Sequence, residues 1–165
     1  MTEAFLDELL RSVPTLDEAL RIVWRLGWAA VLGGVVGWQR QSEDKPAGIR
    51  THVLVALGAA LFVIVPLESG FDPDALSRIV QGVATGIGFI GAGAILKLTD
   101  RHRVEGLTTS ATIWIVTAIG VAAGLGRLAI AAVAVALAWV VLALLHKAAR
   151  SPLPAPNRPA INARE

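Results

Sequence analysis

The stretch GIGFIGAG, Gly86 to Gly93, decides how the rest of the chain is read. It contains Gly-x-Gly-x-x-Gly, the spacing by which a dinucleotide-binding loop brings its backbone against a pyrophosphate. That chemistry needs a strand before the glycines, a helix amino end at the phosphate, and an acidic residue about 20 positions further on. Here the glycines lie inside an apolar run, and Asp100 and Glu105 fall in the loop beyond it. The context argues against a nucleotide and for packing. Within lipid, burial of apolar surface cannot drive helices together, so small residues that let backbones approach closely take over that role.

Working outward, the same logic applies to Gly33 with Gly37, Gly82 with Gly86, and Gly120 with Gly124, each pair four residues apart. At 100° per residue, Gly82, Gly86 and Gly93 share one face of a helix, and Ala84, Gly88, Gly91 and Ala92 lie roughly opposite. A helix with two flat faces is expected at the centre of a bundle. The rival reading is a helix broken at its glycines, baring backbone groups to a substrate or ion.

The 165 residues suffice for one domain, and 55% are hydrophobic while 17% are charged. With a mean hydropathy of +0.63, a membrane is the natural solvent, because a soluble domain of this size cannot hide so much apolar surface. The absence of cysteine excludes disulfides, thiolate metal sites and Cys nucleophiles, and His52, His102 and His146 are too scattered for a zinc site. No Ser/His/Asp arrangement or pair of inward carboxylates is present, so an enzyme is not expected. Nothing in the pattern points to nucleic acid. The acidic start, with Glu3, Asp7 and Glu8, does not fit a cleaved secretory signal.

Five runs are long enough to cross the hydrocarbon layer as helices, which takes about 17 to 25 residues: Ile22 to Trp38, Thr51 to Leu67, Ile79 to Leu96, Leu107 to Gly124, and Leu128 to Leu145. The fold class expected is therefore all-α, a polytopic membrane bundle of five helices. Arg40, Lys45 and Arg50 follow the first run, Lys97, Arg101 and Arg103 the third, and Lys147, Arg150, Arg158 and Arg164 the fifth. Short basic loops stay in the cytoplasm, so the amino terminus faces outward and the carboxyl terminus inward. Residues 1–14 read as a short amphipathic helix at the outer interface, with Phe5, Leu6, Leu9, Leu10 and Val13 on its apolar side. Thr15 to Glu18 has the spacing of a capping box, and Asp72 before Pro73 is a second helix start. Residues 15–146 form the membrane domain, and the proline-rich 147–165 a flexible cytoplasmic tail.

Two polar groupings are candidate sites. Gln81, Thr85, Thr108, Thr109, Ser110, Thr112 and Trp114 lie in or beside spans; they either bond within and between helices or line a polar cleft at the cytoplasmic side. Arg40, Lys45, Arg50 and His52 concentrate at the cytoplasmic face, where they set topology and meet anionic headgroups, or hold a specific anion or partner. In KPAGIRTH, Lys45 to His52, Pro46 and Gly48 make a tight turn, Thr51 is placed to cap the second helix, and Arg50 can clamp Asp100 or Glu105 of the next cytoplasmic loop.

The segments KPAGIRTHVLVALGAALF from Lys45, QGVATGIGFIGAGAIL from Gln81 and EGLTTSATIWIVTAIGVAAGLG from Glu105 occur in this order and spacing. Together they resemble the MgtC/SapB family of bacterial inner-membrane proteins, over roughly residues 20 to 145. The resemblance implies five membrane helices, a role under magnesium limitation and, for some pathogens, survival inside host cells; some members are thought to restrain the rotary ATP synthase. Two departures stand out: Gln39-Arg40 where the family usually has Glu-Arg, and a tail too short for the soluble carboxyl-terminal domain of some members. The function expected is a regulator in magnesium homeostasis that touches other membrane proteins or small membrane peptides, with Mg²⁺ the one ion implied, and small-residue faces that also suit a homodimer. The alternative is a transporter or channel for Mg²⁺ or another cation, although Mg²⁺ wants one or two carboxylates and no span carries one at its middle.

Overall fold

The computed structural model describes residues 13–98 and 103–149. They form a bundle of five helices: α1 (Leu16–Ser42), α2 (Ile49–Glu68), α3 (Pro73–Gly93), α4 (Leu107–Gly124) and α5 (Leu128–Ala149). The first four are long and apolar enough to cross a membrane, and α5 carries a shorter apolar stretch, Leu128–Leu144. The bundle's outside is rich in exposed apolar side chains, among them Trp38, Phe62, Phe89 and Leu137, as a surface in contact with hydrocarbon requires. The chain is a helical membrane bundle. Residues 1–12, which hold most of the expected amphipathic segment, and 150–165, most of the expected tail, lie outside the described residues; α5 itself runs to Ala149.

Helix starts follow local chemistry. Thr15 and Glu18 close the capping box, Thr15 N–H donating to Glu18 Oε2 at 2.8 Å and Glu18 N–H to Thr15 Oγ1 at 3.4 Å. Asp72 Oδ1 accepts from Ala75 N–H at 2.7 Å and Pro73 opens α3. The second helix departs from expectation. Gly48 is its amino cap, so Thr51 lies inside the first turn, and the Gln41 side chain reaches across the turn to accept from Ile49 N–H at 3.3 Å. A short hairpin was also unforeseen: after α3 ends at Gly93, Leu96–Leu98 (β1) pairs antiparallel with Arg103–Glu105 (β2), Leu96 opposite Glu105. Gly106 joins it to α4 at φ +91°, where any Cβ would collide with the Ala94 carbonyl; only glycine tolerates both demands.

The centre of the bundle is α2, held between α1 and α4. A Cβ added to Gly33 would lie 2.7 Å from Ala56 Cβ and 2.8 Å from the His52 carbonyl oxygen, and one on Gly37 would lie 2.7 Å from Ile49 Cα. From the other side, Gly120 lies against the Ala56 backbone and Gly124 against that of Ala60. Moving from Gly33 to Gly37 steps backward along α2, so that pair is antiparallel; moving from Gly120 to Gly124 steps forward, so α2 and α4 run parallel. On the α4 side the alanines of α2 recur four apart, as the facing glycines do, and two flat surfaces meet; on the α1 side Gly33 meets Ala56 while Gly37 meets Ile49 and His52.

The expectation that the third span occupies the centre is corrected. Among the described residues of α3 only Gly91 is buried, where its missing side chain leaves room for Ser110 Oγ, 2.6 Å from the would-be Cβ. Gly82, Gly86, Gly88 and Gly93 have nothing within 4 Å. A glycine permits close approach but supplies no attraction of its own, and no matching flat surface faces these four. Nor is α3 broken: it is one helix from Pro73 to Gly93, so its carbonyls are used within the helix.

Candidate functional site

The end of the bundle that carries the α1–α2 turn buries a polar cluster. Arg40, in the last turn of α1, is only 3% exposed, and His52, in the first turn of α2, is fully buried. One guanidinium Nη donates to Glu43 Oε2 at 3.2 Å and the other to Thr109 Oγ1 on α4 at 3.4 Å. Arg40 Nε is buried with no partner among the described residues. Gly37 allows this arrangement, since a side chain there would press on Ile49 and on His52 Cβ.

His52 links the three helices. Its Nδ1 lies 2.8 Å from the Gly48 carbonyl oxygen and its Nε2 3.3 Å from Thr112 Oγ1. A carbonyl only accepts, so Nδ1 carries a proton; Nε2 of the neutral ring is then an acceptor for the Thr112 hydroxyl. That hydroxyl also lies 2.8 Å from the Thr109 carbonyl, so it has two acceptors to choose between. At the neighbouring contact with α5, Gln39 Nε2 donates to the Trp139 carbonyl at 3.5 Å while Gln39 Oε1 is buried without a partner among the described residues. Buried polar groups are costly unless bonded, and this cluster is bonded across α1, α2 and α4 with two atoms left over.

The predicted site residues are divided by helical phase. Of the basic-face candidates, Arg40 and His52 are inside, whereas Lys45, Arg50 and Glu105 are exposed. Arg50 and Glu105 form no ion pair, so that half of the expected clamp is absent: both side chains point into solvent, where a pair contributes little. Asp100, the other half, lies outside the described residues. The seven polar residues do not gather into one cleft. Thr109 and Thr112 are buried in the cluster, Ser110 meets Gly91, Thr108 and Trp114 face outward from α4, and Gln81 and Thr85 are exposed on α3. Thr85 Oγ1 donates to the Gln81 carbonyl at 2.9 Å.

Sequence reading passed over Glu43, the residue that caps α1, whose spacing of three from Arg40 was the available signal. It also passed over an ionic contact at the opposite end, where Arg25 lies 3.5 Å and Arg21 3.9 Å from Glu68 of α2. Among the described residues no three His, Cys, Asp or Glu side chains come together as metal ligands.

Comparison with known proteins gives a family match over residues 26–151, to the MgtC family. Similar proteins include SrpB of Synechococcus elongatus, 50% identical over 65% of this chain and 65% of its own length. YhiD of Escherichia coli K12, whose name provisionally assigns it to magnesium transport, is 41% identical over 74% of this chain and 60% of its own. MgtC of Brucella abortus strain 2308 is 44% identical over 73% and 50%. The chain thus spans between half and just under two thirds of these relatives. No solved structure matches it.

Proposed function

The chain belongs to the MgtC family, and we propose that it serves magnesium homeostasis as a regulator, docking another membrane protein or small membrane peptide against the open side of α3. The observation that carries this reading is Gln81. It lies eight residues into α3, about 12 Å from the helix start at 1.5 Å per residue, and within the apolar run that begins at Ile79. Its side chain is exposed and makes no hydrogen bond among the described residues. An amide turned toward hydrocarbon is unfavourable until a neighbouring helix bonds it, a contact measured at about 0.6 to 2 kcal/mol in membrane proteins. Gly88, Thr85 and Ala92 share that side of the helix at 100° per residue, leaving a surface low enough for a second backbone to approach.

The name of YhiD brings magnesium to this chain, and transport is the competing form of that role. The donor chemistry favours regulation. Buried polar side chains among the described residues are Arg40, His52, Thr109, Thr112 and Thr117, whereas Mg²⁺ is held by carboxylates and water. The deciding experiment compares growth at low magnesium with Mg²⁺ flux in liposomes holding the purified protein. Gln81→Ala and Gly88→Leu are expected to impair growth while folding normally, and the wild type to give no flux. Saturable Mg²⁺ flux by the purified protein alone overturns regulation in favour of transport.

A further inference from the structure

The open side of α3 carries more than Gln81. Asp74, Arg78, Gln81, Thr85, Gly88 and Ala92 are all exposed. Their spacings of four, three, four, three and four residues lay them along one line of the helix, within an arc of about 80°. Val80, Val83 and Ile87, which line the hollow against α4, and the buried Gly91 are on the far side. Alternating steps of three and four are the heptad seam by which two helices wrap round each other left-handedly, crossing at about 20°. From Asp74 to Ala92 the line runs about 27 Å at 1.5 Å per residue, close to the thickness of the hydrocarbon layer, about 30 Å.

Two copies inserted in the same direction form a closed pair about a two-fold axis along the membrane normal. Their α3 helices then run parallel, and each residue stands beside its own copy. Such a seam must be self-complementary. Gln81 meets that demand, because an amide both donates and accepts and so bonds to a second amide. Asp74 and Arg78 meet it at the start of α3. Neither makes an ion pair among the described residues, and across a parallel pair each carboxylate faces the other copy's guanidinium one turn on, giving two equivalent bridges and no net charge. Gly88 and Ala92 present nothing larger than a methyl group, so the rest of the seam closes tightly. We infer that two copies of this chain pair through α3, along the seam from Asp74 to Ala92.

A helix built only to face lipid has no use for this pattern; α5 exposes Ile130, Val133, Leu137 and Val141 instead. An unrelated partner calls for a match to itself, whereas this line matches its own copy in both charge and hydrogen bonding. The inference rests on reading the open side of α3 as a docking face, and it adds a form of regulation. The pair and the partner complex use one surface, so the pair must open before the partner docks.

The chain has no cysteine, so single cysteines report contacts without background. In vesicles holding the purified protein, oxidation is expected to link two copies through Thr85→Cys, Gly88→Cys and Ala92→Cys, and to leave Gly86→Cys and Ile90→Cys, on the other side of the helix, unlinked. With Gly88→Cys as reporter, Gln81→Leu is expected to raise the dissociation constant about 3- to 30-fold, and Gln81→Asn to restore most of the pairing. Asp74→Arg and Arg78→Asp, each made alone, gather like charges at the start of the seam and weaken pairing, whereas mixing the two variants restores it between unlike copies. A role in folding alone gives no such rescue. Equal linking round α3, linking strongest at Gly86→Cys or Ile90→Cys, or no rescue on mixing overturns the seam. A monomer at every protein-to-lipid ratio overturns it too, and leaves the partner reading standing, since growth at low magnesium is read separately. A photoreactive residue at Thr85 that captures another membrane protein and no second copy has the same effect.

Discussion

Adding one methyl group at Gly120 tests the packing of α2 directly. The new Cβ would lie 2.9 Å from Ala56 Cα and 3.0 Å from its carbonyl carbon, against a preferred carbon separation of about 3.5 to 4.0 Å. Both contacts are backbone, so no rotamer relieves them, and α4 must retreat from α2 by roughly 0.5 to 1 Å. Ala56 cannot yield toward α1, because Gly33 already lies against its other side. Overpacking of this kind costs about 1 to 3 kcal/mol, offset by about 0.5 to 1 kcal/mol from replacing a helical glycine with alanine. Gly120→Ala is therefore expected to lose about 0 to 2.5 kcal/mol, centred a little above 1. Gly82→Ala has nothing to strike and should gain the propensity term or stay level. Reversible unfolding of both variants in one mild detergent compares them, with tryptophan fluorescence as the signal. If Gly120→Ala is as stable as Gly82→Ala, the close approach of α4 to α2 is wrong.

Other expectations follow from the same contacts. Arg40→Ala removes a buried guanidinium that bonds Glu43 and Thr109 and should cost about 1.5 to 3 kcal/mol; Arg40→Met, which keeps the bulk, should recover part of it, and no recovery in the unfolding assay would show that the charge itself is needed. Gly106→Ala meets both a positive φ and the Ala94 carbonyl, so it should lower the melting temperature far more than Gly58→Ala, which has open space. Arg25→Gln removes a half-exposed pair with Glu68 and should cost less than about 1 kcal/mol; a larger loss would mean that the pair is shielded from water.

Much of the site was invisible to periodicity because it depends on which helix stands opposite. Arg40 and Lys45 are alike as basic residues beside a span, yet one is enclosed and the other exposed. What separates them is Gly37, whose missing side chain lets the start of α2 with His52 lie close beside α1, and Thr109, which arrives from α4, 69 residues away. Thr108 and Thr109 are adjacent and chemically identical, and 100° of rotation sends one outward and the other into the cluster.

Composition and local order were enough for the membrane, the helical spans, the Thr15 and Asp72 caps and the family, since each depends on neighbours in the chain or on the solvent alone. The glycine pairs announced close packing without naming their partners, because a missing side chain is permissive rather than attractive. Only the assembled bundle chose α2 as the column gripped by Gly33, Gly37, Gly120 and Gly124, and left Gly82, Gly86 and Gly88 uncovered. That choice rests on alanines recurring in phase with the facing glycines, a match between two surfaces that no single segment contains.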